Sequence, residues 1–262
     1  MPELPDVETV ARTLRREAVG RRICRVRVLS PSTVRSPLPG RFASRLRGKQ
    51  IEQVGRRGKY LLIDLEGDQT LIVHLRMTGG FASASRTDPI HPHTRVLFSF
   101  NGEELRFIDQ RRFAHMDLVD ARDVPTFPGL RRLGVEPLED VFTLRKFRAL
   151  LRGRRGTVKG FLLRQDVIAG IGNIYADEIL FQARLLPWRP VESLRPAEAA
   201  RLYRAIRTTL RRATARLSRY GKPSGALLAV RRAGGVCPRC GRALRTATVA
   251  GRTSYYCPAC QR

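Results

Sequence analysis

Cys237-Pro238-Arg239-Cys240 and Cys257-Pro258-Ala259-Cys260 close the chain, two C-x-x-C pairs with sixteen residues between them. At this spacing two thiolate pairs complete a tetrahedron around one zinc ion. Four sulfur ligands leave no open coordination position, so the metal is expected to be structural, organising a β-hairpin in a segment too short for its own core. Val249-Ala250-Gly251-Arg252-Thr253 lies between the pairs and has a hairpin-tip composition that projects Arg252 outward. The fifth cysteine, Cys24, sits in the apolar stretch Ile23 to Leu29 and is expected as a buried strand residue. Clustering of the other four speaks for a reduced compartment rather than paired disulfides.

Upstream of this tail the hydrophobic period changes once. From about Ile23 to Asp120, short runs rich in Val, Ile, Leu and Phe alternate with Gly, Asn and Pro turns. Tyr60 to Leu65, Leu71 to Leu75, Arg95 to Phe100 and Leu105 to Ile108 are the clearest, and they predict a β-sandwich or barrel. Ahead of them, Asp6 can cap a helix whose apolar positions Val7, Val10, Ala11, Leu14 and Ala18 share one face. After a Pro-containing linker the period becomes 3.6, predicting helices over Phe142 to Leu151, Val158 to Arg164, Asn173 to Leu185 and Pro196 to Tyr220. The class is thus α+β. The expected parts are an N-terminal domain over 1–122, a linker over 123–138, a helical domain over 139–222 and the zinc hairpin over 223–262.

Fifty basic residues against twenty-three acidic ones give a net charge of +27 in 262 residues, spread along the whole chain. A polyanionic partner is the natural expectation. Only five of the fifty are Lys, so an Arg-biased composition contributes part of the excess. No apolar run approaches the roughly 20 residues needed to span a bilayer, and the start lacks the order of a signal peptide. The cytoplasm or nucleoid is the expected location, with no membrane partner.

Two further places carry chemistry. Ala169-Gly170-Ile171-Gly172-Asn173 joins two helical segments, with Asn173 placed to cap the second and backbone N–H groups at the helix start suited to a phosphate. Gly-x-Gly turns also serve simply to reverse a chain, and Lys159 one helix upstream reads equally as a surface lysine. At the N-terminus, the small second residue in Met1-Pro2-Glu3 favours removal of Met1, which would expose a secondary amine with an ordinary pKa near ~8. Attack of that amine on a sugar C1′ gives an iminium that acts as an electron sink for elimination. Glu3 would relay the proton if burial raised its pKa.

Taken together, Pro2-Glu3-Leu4-Pro5-Asp6-Val7-Glu8, Arg57-Gly58-Lys59-Tyr60, Gly170 to Asn173 running into Ile174-Tyr175-Ala176, and the cysteine tail closely resemble the formamidopyrimidine-DNA glycosylase and endonuclease VIII family over essentially the whole chain. The resemblance implies an N-terminal β-sandwich, a helix-two-turns-helix domain and a zinc hairpin, binding double-stranded DNA with damaged bases or abasic sites in a cleft, as a monomer. It implies base-excision repair of oxidised bases with abasic-site lyase activity by β,δ-elimination. Pro2 would be the nucleophile, Glu3 the acid and base, and Lys59 a cation beside the lesion nucleotide. His74, Lys159, Asn173 and Arg252 would touch phosphates. Met77, Arg111 and Phe113 would fill the gap left by an extruded base, returning part of its stacking energy.

Some positions depart from the family pattern. Asp6 replaces a commoner Glu, Arg76 a usual Gly, and Gln110 a usual Pro. Tyr220 to Gly235 is shorter than the loop that typically closes over 8-oxoguanine, and Ala229-Val230-Arg231-Arg232 replaces the usual Tyr-Gly-Arg. Formamidopyrimidines, 8-oxoguanine and oxidised pyrimidines all remain open as substrates. Two rivals are a non-catalytic zinc-containing binder of damaged DNA and a nuclease for undamaged strands. The first has no use for Pro2, Glu3 and Lys59 together. The second needs a carboxylate-bound or open-site metal that the sequence lacks.

Overall fold

The computed structural model describes residues 1–221, 225–232 and 234–262, the side chain of Tyr220 excepted. It divides into two compact units: Met1–Pro2 with Asp6–Arg131, and Glu3–Pro5 with Arg132–Arg262. The chain break between them thus falls inside the stretch 123–138 expected as a linker, which is not a free tether. The Phe127 ring meets that of Tyr60 edge-on in the first unit, with centroids 6.3 Å apart, whereas Val135 exchanges backbone bonds with Val167 and Ala169 in the second. The boundary expected at 222–223 lies outside the described residues, as does part of the short stretch from 220 to 235.

The first unit holds α1 (Leu4–Glu17) from Asp6 onward and continues through β1 (Arg25–Val28), β2 (Val34–Ser36), α2 (Pro39–Leu46), β3 (Ile51–Arg57), β4 (Tyr60–Leu65), β5 (Gln69–His74), β6 (Gly79–Ser85), β7 (Thr94–Ser99), β8 (Glu103–Asp109) and β9 (His115–Asp120). Four strands make one sheet in the order β1-β7-β8-β6, and five make another in the order β2-β9-β5-β4-β3. Every pairing is antiparallel except that of β2 with β9. Strict alternation along β4 sends Leu61, Ile63 and Leu65 inward, the half-buried pattern that a two-layer sandwich requires. They share one core with Val96, Phe98 and Phe107 of the other sheet, and with Val7, Ala11 and Leu14 of α1.

Three expectations need correction here. Asp6 does not cap α1, because the helix already starts at Leu4 and Asp6 lies in its first turn. Cys24 is exposed: in the run from Ile23 it falls on the outward step between buried Ile23 and Val26, just ahead of β1. And α2, with Phe42 and Leu46 wholly buried, interrupts a region that the sequence pattern gave entirely to strands.

The second unit contains α3 (Leu144–Leu151), α4 (Val158–Leu163), α5 (Asn173–Ala183) and α6 (Pro196–Tyr220), then the hairpin β10 (Arg245–Val249) and β11 (Arg252–Tyr256). Thr143 and Thr157 cap α3 and α4 by accepting from Lys146 N and Gly160 N. Gly221, at φ +65°, ends α6. Turns over 164–172 join α4 to α5, and Gln165 ties them together by donating to Ile171 O (2.7 Å) while accepting from Gly170 N (2.9 Å). Trp188 stands edge-on to Tyr256 at 4.7 Å, which seats the hairpin on the helices. No helix among the described residues is long and apolar enough to cross a membrane.

Candidate active site

Residues 3 and 4 are built into the second unit. Leu4 N donates to Gly170 O (2.9 Å), and the Leu4 side chain joins the helical core. The Glu3 carboxylate, 2 % exposed, accepts from Gly172 N (2.9 Å), Ile174 N (2.8 Å) and Tyr175 N (3.1 Å) at the start of α5. Gly172 has an extended backbone, and its role is spatial, because a Cβ there would collide with the Glu3 carboxylate. The N–H groups that the sequence pattern offered to a phosphate are therefore filled by Glu3. Three backbone donors at the helix start hold this carboxylate in place.

Asn173 is the first residue of α5 rather than its cap. Its Nδ2 donates to Thr253 O (3.1 Å), and its buried Oδ1 has no partner among the described residues. Thr253 follows Arg252 at the tip of the zinc hairpin, so Asn173 and the exposed Arg252 are brought together. Ala250 and Gly251 both take positive φ, +50° and +68°, which makes the tight turn presenting Arg252.

Lys159 is corrected on both of its sequence readings, surface lysine and phosphate contact. Its side chain is wholly buried, with Nζ 2.6 Å from Asp177 Oδ1, 2.6 Å from Ser254 Oγ and 3.3 Å from Thr253 O. The other oxygen of Asp177 accepts from Arg231 (Nε 3.0 Å, Nη2 2.8 Å) and Tyr255 N (3.2 Å). Burial pushes the lysine pKa down, and the Asp177 carboxylate opposes this. The cluster fastens β11 to α4 and α5, so Lys159 acts on the hairpin tip from inside. Asp177 and Arg231 escaped the sequence reading because nothing in a single acid or arginine announces a buried partner.

Around the zinc site the four sulfurs of Cys237, Cys240, Cys257 and Cys260 lie within 4.8 Å of one another. Pairs at 3.4 and 3.9 Å are far from disulfide contact and bracket the ~3.8 Å edge of a tetrahedron with Zn–S bonds near 2.3 Å. The donor set fits one structural zinc.

In the first unit, antiparallel pairing sets Tyr60 opposite His74 and His74 opposite His115. Lys59 therefore stands at the β3–β4 turn beside the end of β5, 8 % exposed, with Gly58 at φ +56°. Arg56 steadies this turn by donating to Gly58 O (2.9 Å) and to Glu8 of α1 (3.1 Å). Burial would raise the Glu8 pKa, but hydrogen bonds from Arg15 and Arg12 with the Arg56 charge hold it low.

The His74 ring meets Tyr60 edge-on at 4.5 Å and stacks on His115 at 5.4 Å. Burial first, then the charges of Arg76, His115 and Lys59, bring its pKa to about 3. It is neutral, and because Nδ1 accepts from Arg76 N (3.0 Å) the proton belongs on Nε2, which is thus a donor.

Met77 (38 % exposed) and Phe113 (53 %) stand on loops that leave the same end of a sheet, since Gly79 and Asp109 are paired. Arg111 lies over the Phe113 ring at 4.9 Å. Asp109, completely buried, staples both loops: it accepts from the Thr78 hydroxyl in a very short bond, from Arg111 N (3.3 Å) and from Ala114 N (2.8 Å). The sequence reading missed Asp109, although its place directly before Gln110-Arg111 was a usable signal. Arg76 and Arg112 take left-handed backbone, φ +52° and +57°, so Arg76 stands where the usual Gly would be unstrained.

Comparison with known proteins agrees with this arrangement. The formamidopyrimidine-DNA glycosylase N-terminal domain matches residues 1–116, the formamidopyrimidine-DNA glycosylase H2TH domain residues 133–220, and the zinc finger found in FPG and IleRS residues 234–262. A formamidopyrimidine-DNA glycosylase of Pelotomaculum thermopropionicum is 45 % identical over 274 residues, covering 100 % of this chain and 99 % of that protein. Among solved structures, Lactococcus lactis Fpg in complex with N7-benzyl-Fapy-dG DNA superposes with a TM-score of 0.91 at 32 % identity, covering 100 % of both chains. The same enzyme with oxidised-pyrimidine DNA gives 0.91 and 32 %, again over 100 % of both. With its β-rich first unit, helical second unit and cysteine hairpin all matched in order, the chain belongs to the formamidopyrimidine-DNA glycosylase family.

Proposed function

We propose that this Fpg-type DNA glycosylase of base excision repair excises oxidised bases from duplex DNA through a covalent Pro2 intermediate and then cleaves the abasic strand. Once Met1 is removed, the Pro2 nitrogen is a secondary amine that attacks C1′ of the damaged nucleoside. The C1′–base bond breaks and the base leaves with the proton shed by the attacking nitrogen; the C1′–O4′ bond then breaks, O4′ takes a proton and the nitrogen becomes an iminium. Loss of the C2′ proton expels the 3′ phosphate, a second elimination expels the 5′ phosphate, and hydrolysis frees Pro2. Glu3 carries protons next to the amine, and Lys59 favours the departing base and the lesion phosphate by its charge.

The observation that carries this reading is the anchoring of residues 3 and 4. Chain termini ordinarily fray. Here the residue after Pro2 is locked by three hydrogen bonds and the next by a backbone bond and core packing, which gives Pro2 a fixed neighbour. His74 Nε2, Asn173 and Arg252 are assigned to phosphates, and Met77, Arg111 and Phe113 to the gap left by the extruded nucleotide. The four cysteines hold a zinc whose chemistry is to keep the hairpin folded.

Borohydride trapping of the Met1-processed protein tests this. Duplexes carrying an abasic site, a formamidopyrimidine, 8-oxoguanine or dihydrouracil should give adducts whose order assigns the preferred lesion, and Pro2→Gly should lose most of them. Absence of any adduct from folded, zinc-loaded protein, even with the abasic duplex, would sink the covalent mechanism and leave a binder of damaged DNA.

A further inference from the structure

A cavity of about 500 Å³ opens in the second unit between the end of α3, the loop after it and the start of α6. Leu151 and Leu194 give it an apolar lining, and Arg148, Arg152, Arg154 and Arg155 surround that lining with charge. None of the four guanidinium groups lies within 4.0 Å of a carboxylate among the described residues, and only Arg154 feels a nearby opposite charge, that of Asp166. Glu192, exposed, is the one acid in the lining. Four cations within eight residues repel one another, and an open apolar recess gains nothing from water. A ligand that relieves both must combine several negative charges with an apolar group.

Duplex DNA would use the arginines but has no apolar group to place in the recess, since its outer surface is sugar and phosphate. A nucleotide would need polar groups to read its base edges, and the lining contains no Ser, Thr, Asn or Gln. We propose that this cavity is a docking site for an acidic peptide segment of a partner protein that carries an apolar side chain. Carboxylates pair with the arginine rim while the apolar side chain enters between Leu151 and Leu194, the mode in which charge supplies specificity and the buried anchor supplies affinity.

The test uses the full-length zinc-loaded protein and a fluorescein-labelled peptide of five aspartates ending in phenylalanine, read by anisotropy. Binding should exceed that of the same peptide ending in glycine, and R152E/R155E should weaken it about tenfold or more, as loss of charge-assisted contacts implies. R152A/R155A carries the same expectation should charge reversal disturb folding. A control with the same change in net charge, R131E/R132E, should bind as wild type. Equal affinity for the glycine-ended peptide, or equal loss in the control, would reduce the effect to the general positive charge and overturn the proposal. So would displacement of the peptide by dAMP at equal potency, or an equal loss of lesion-duplex affinity in R152E/R155E.

Discussion

Replacing Lys159 by Met separates a buried structural cation from a phosphate contact. Methionine keeps the aliphatic stem, so no cavity opens, but Asp177 loses its 2.6 Å partner, and Ser254 Oγ and Thr253 O lose a donor. Breaking a fully buried ion pair by removing one partner costs about 3–5 kcal/mol. Asp177 Oδ2 still accepts from Arg231 and Tyr255 N, which places the expected loss at the low end, about 3 kcal/mol. With a typical slope of about 2 kcal/mol per molar urea, the midpoint should fall by about 1.5 M. Trp188 is the only tryptophan and packs on Tyr256 of the hairpin, so its fluorescence reports the relevant transition. In parallel, the dependence of lesion-duplex affinity on salt should keep its slope, whereas Arg252→Ala should reduce that slope by about 0.9 and leave the urea midpoint nearly unchanged. An unshifted midpoint for Lys159→Met, together with a slope reduced by about 0.9, would mean that the amine reaches phosphate, and the buried assignment would be wrong.

Acid should weaken the first unit. His74 and His115 are held near 3 and 4 in the fold, by burial foremost, against 6.5 unfolded. Such depressed values contribute stability that is complete above 6.5 and is lost as pH falls toward the folded values, roughly 2 kcal/mol per histidine at pH 5. Asp117, raised by burial, works in the opposite sense and offsets part of this. Urea midpoints at pH 7 and pH 5 should differ, and less so in His74→Gln; equal midpoints in the wild type would contradict the buried neutral pair. Arg76→Gly relieves the left-handed backbone at φ +52° and should stabilise the unit by about 0.5–1 kcal/mol, seen as a higher melting temperature. A lower melting temperature would show that the arginine side chain contributes more than its backbone costs. Asp109→Ala should loosen the Met77 and Phe113 loops together, weakening lesion-duplex binding more than abasic-site cleavage at saturating DNA, and unchanged binding would remove Asp109 from a positioning role. Stripping zinc should change Trp188 fluorescence while leaving melting of the first unit in place; a single joint transition would contradict an independent hairpin.

Much of this was written locally. Strand alternation between Tyr60 and Leu65, helical spacing in Pro196–Tyr220 and the paired cysteines each depend on neighbours a few residues apart, and the structure repeats them almost residue for residue. The local pattern did not reveal α2, whose eight residues lie inside a region dominated by strand-like apolar runs. Nor could it show that Cys24 faces outward, since a single apolar run does not say which step of the pleat it occupies.

The sequence by itself determined the three-part architecture, the zinc ligands and the candidate chemistry of Pro2 and Glu3, because composition, spacing and residue type are one-dimensional properties; the role of Lys59 came only from the family resemblance. Only tertiary structure decided what fills the start of α5 and what becomes of Lys159. Glu3 reaches Gly172 across 169 residues of chain, and Lys159 reaches Ser254 across 95. Whether a helix start holds a phosphate or a carboxylate, and whether a lysine is solvated or buried, depends on partners brought close by the fold, and at such separations no periodicity in the chain records them.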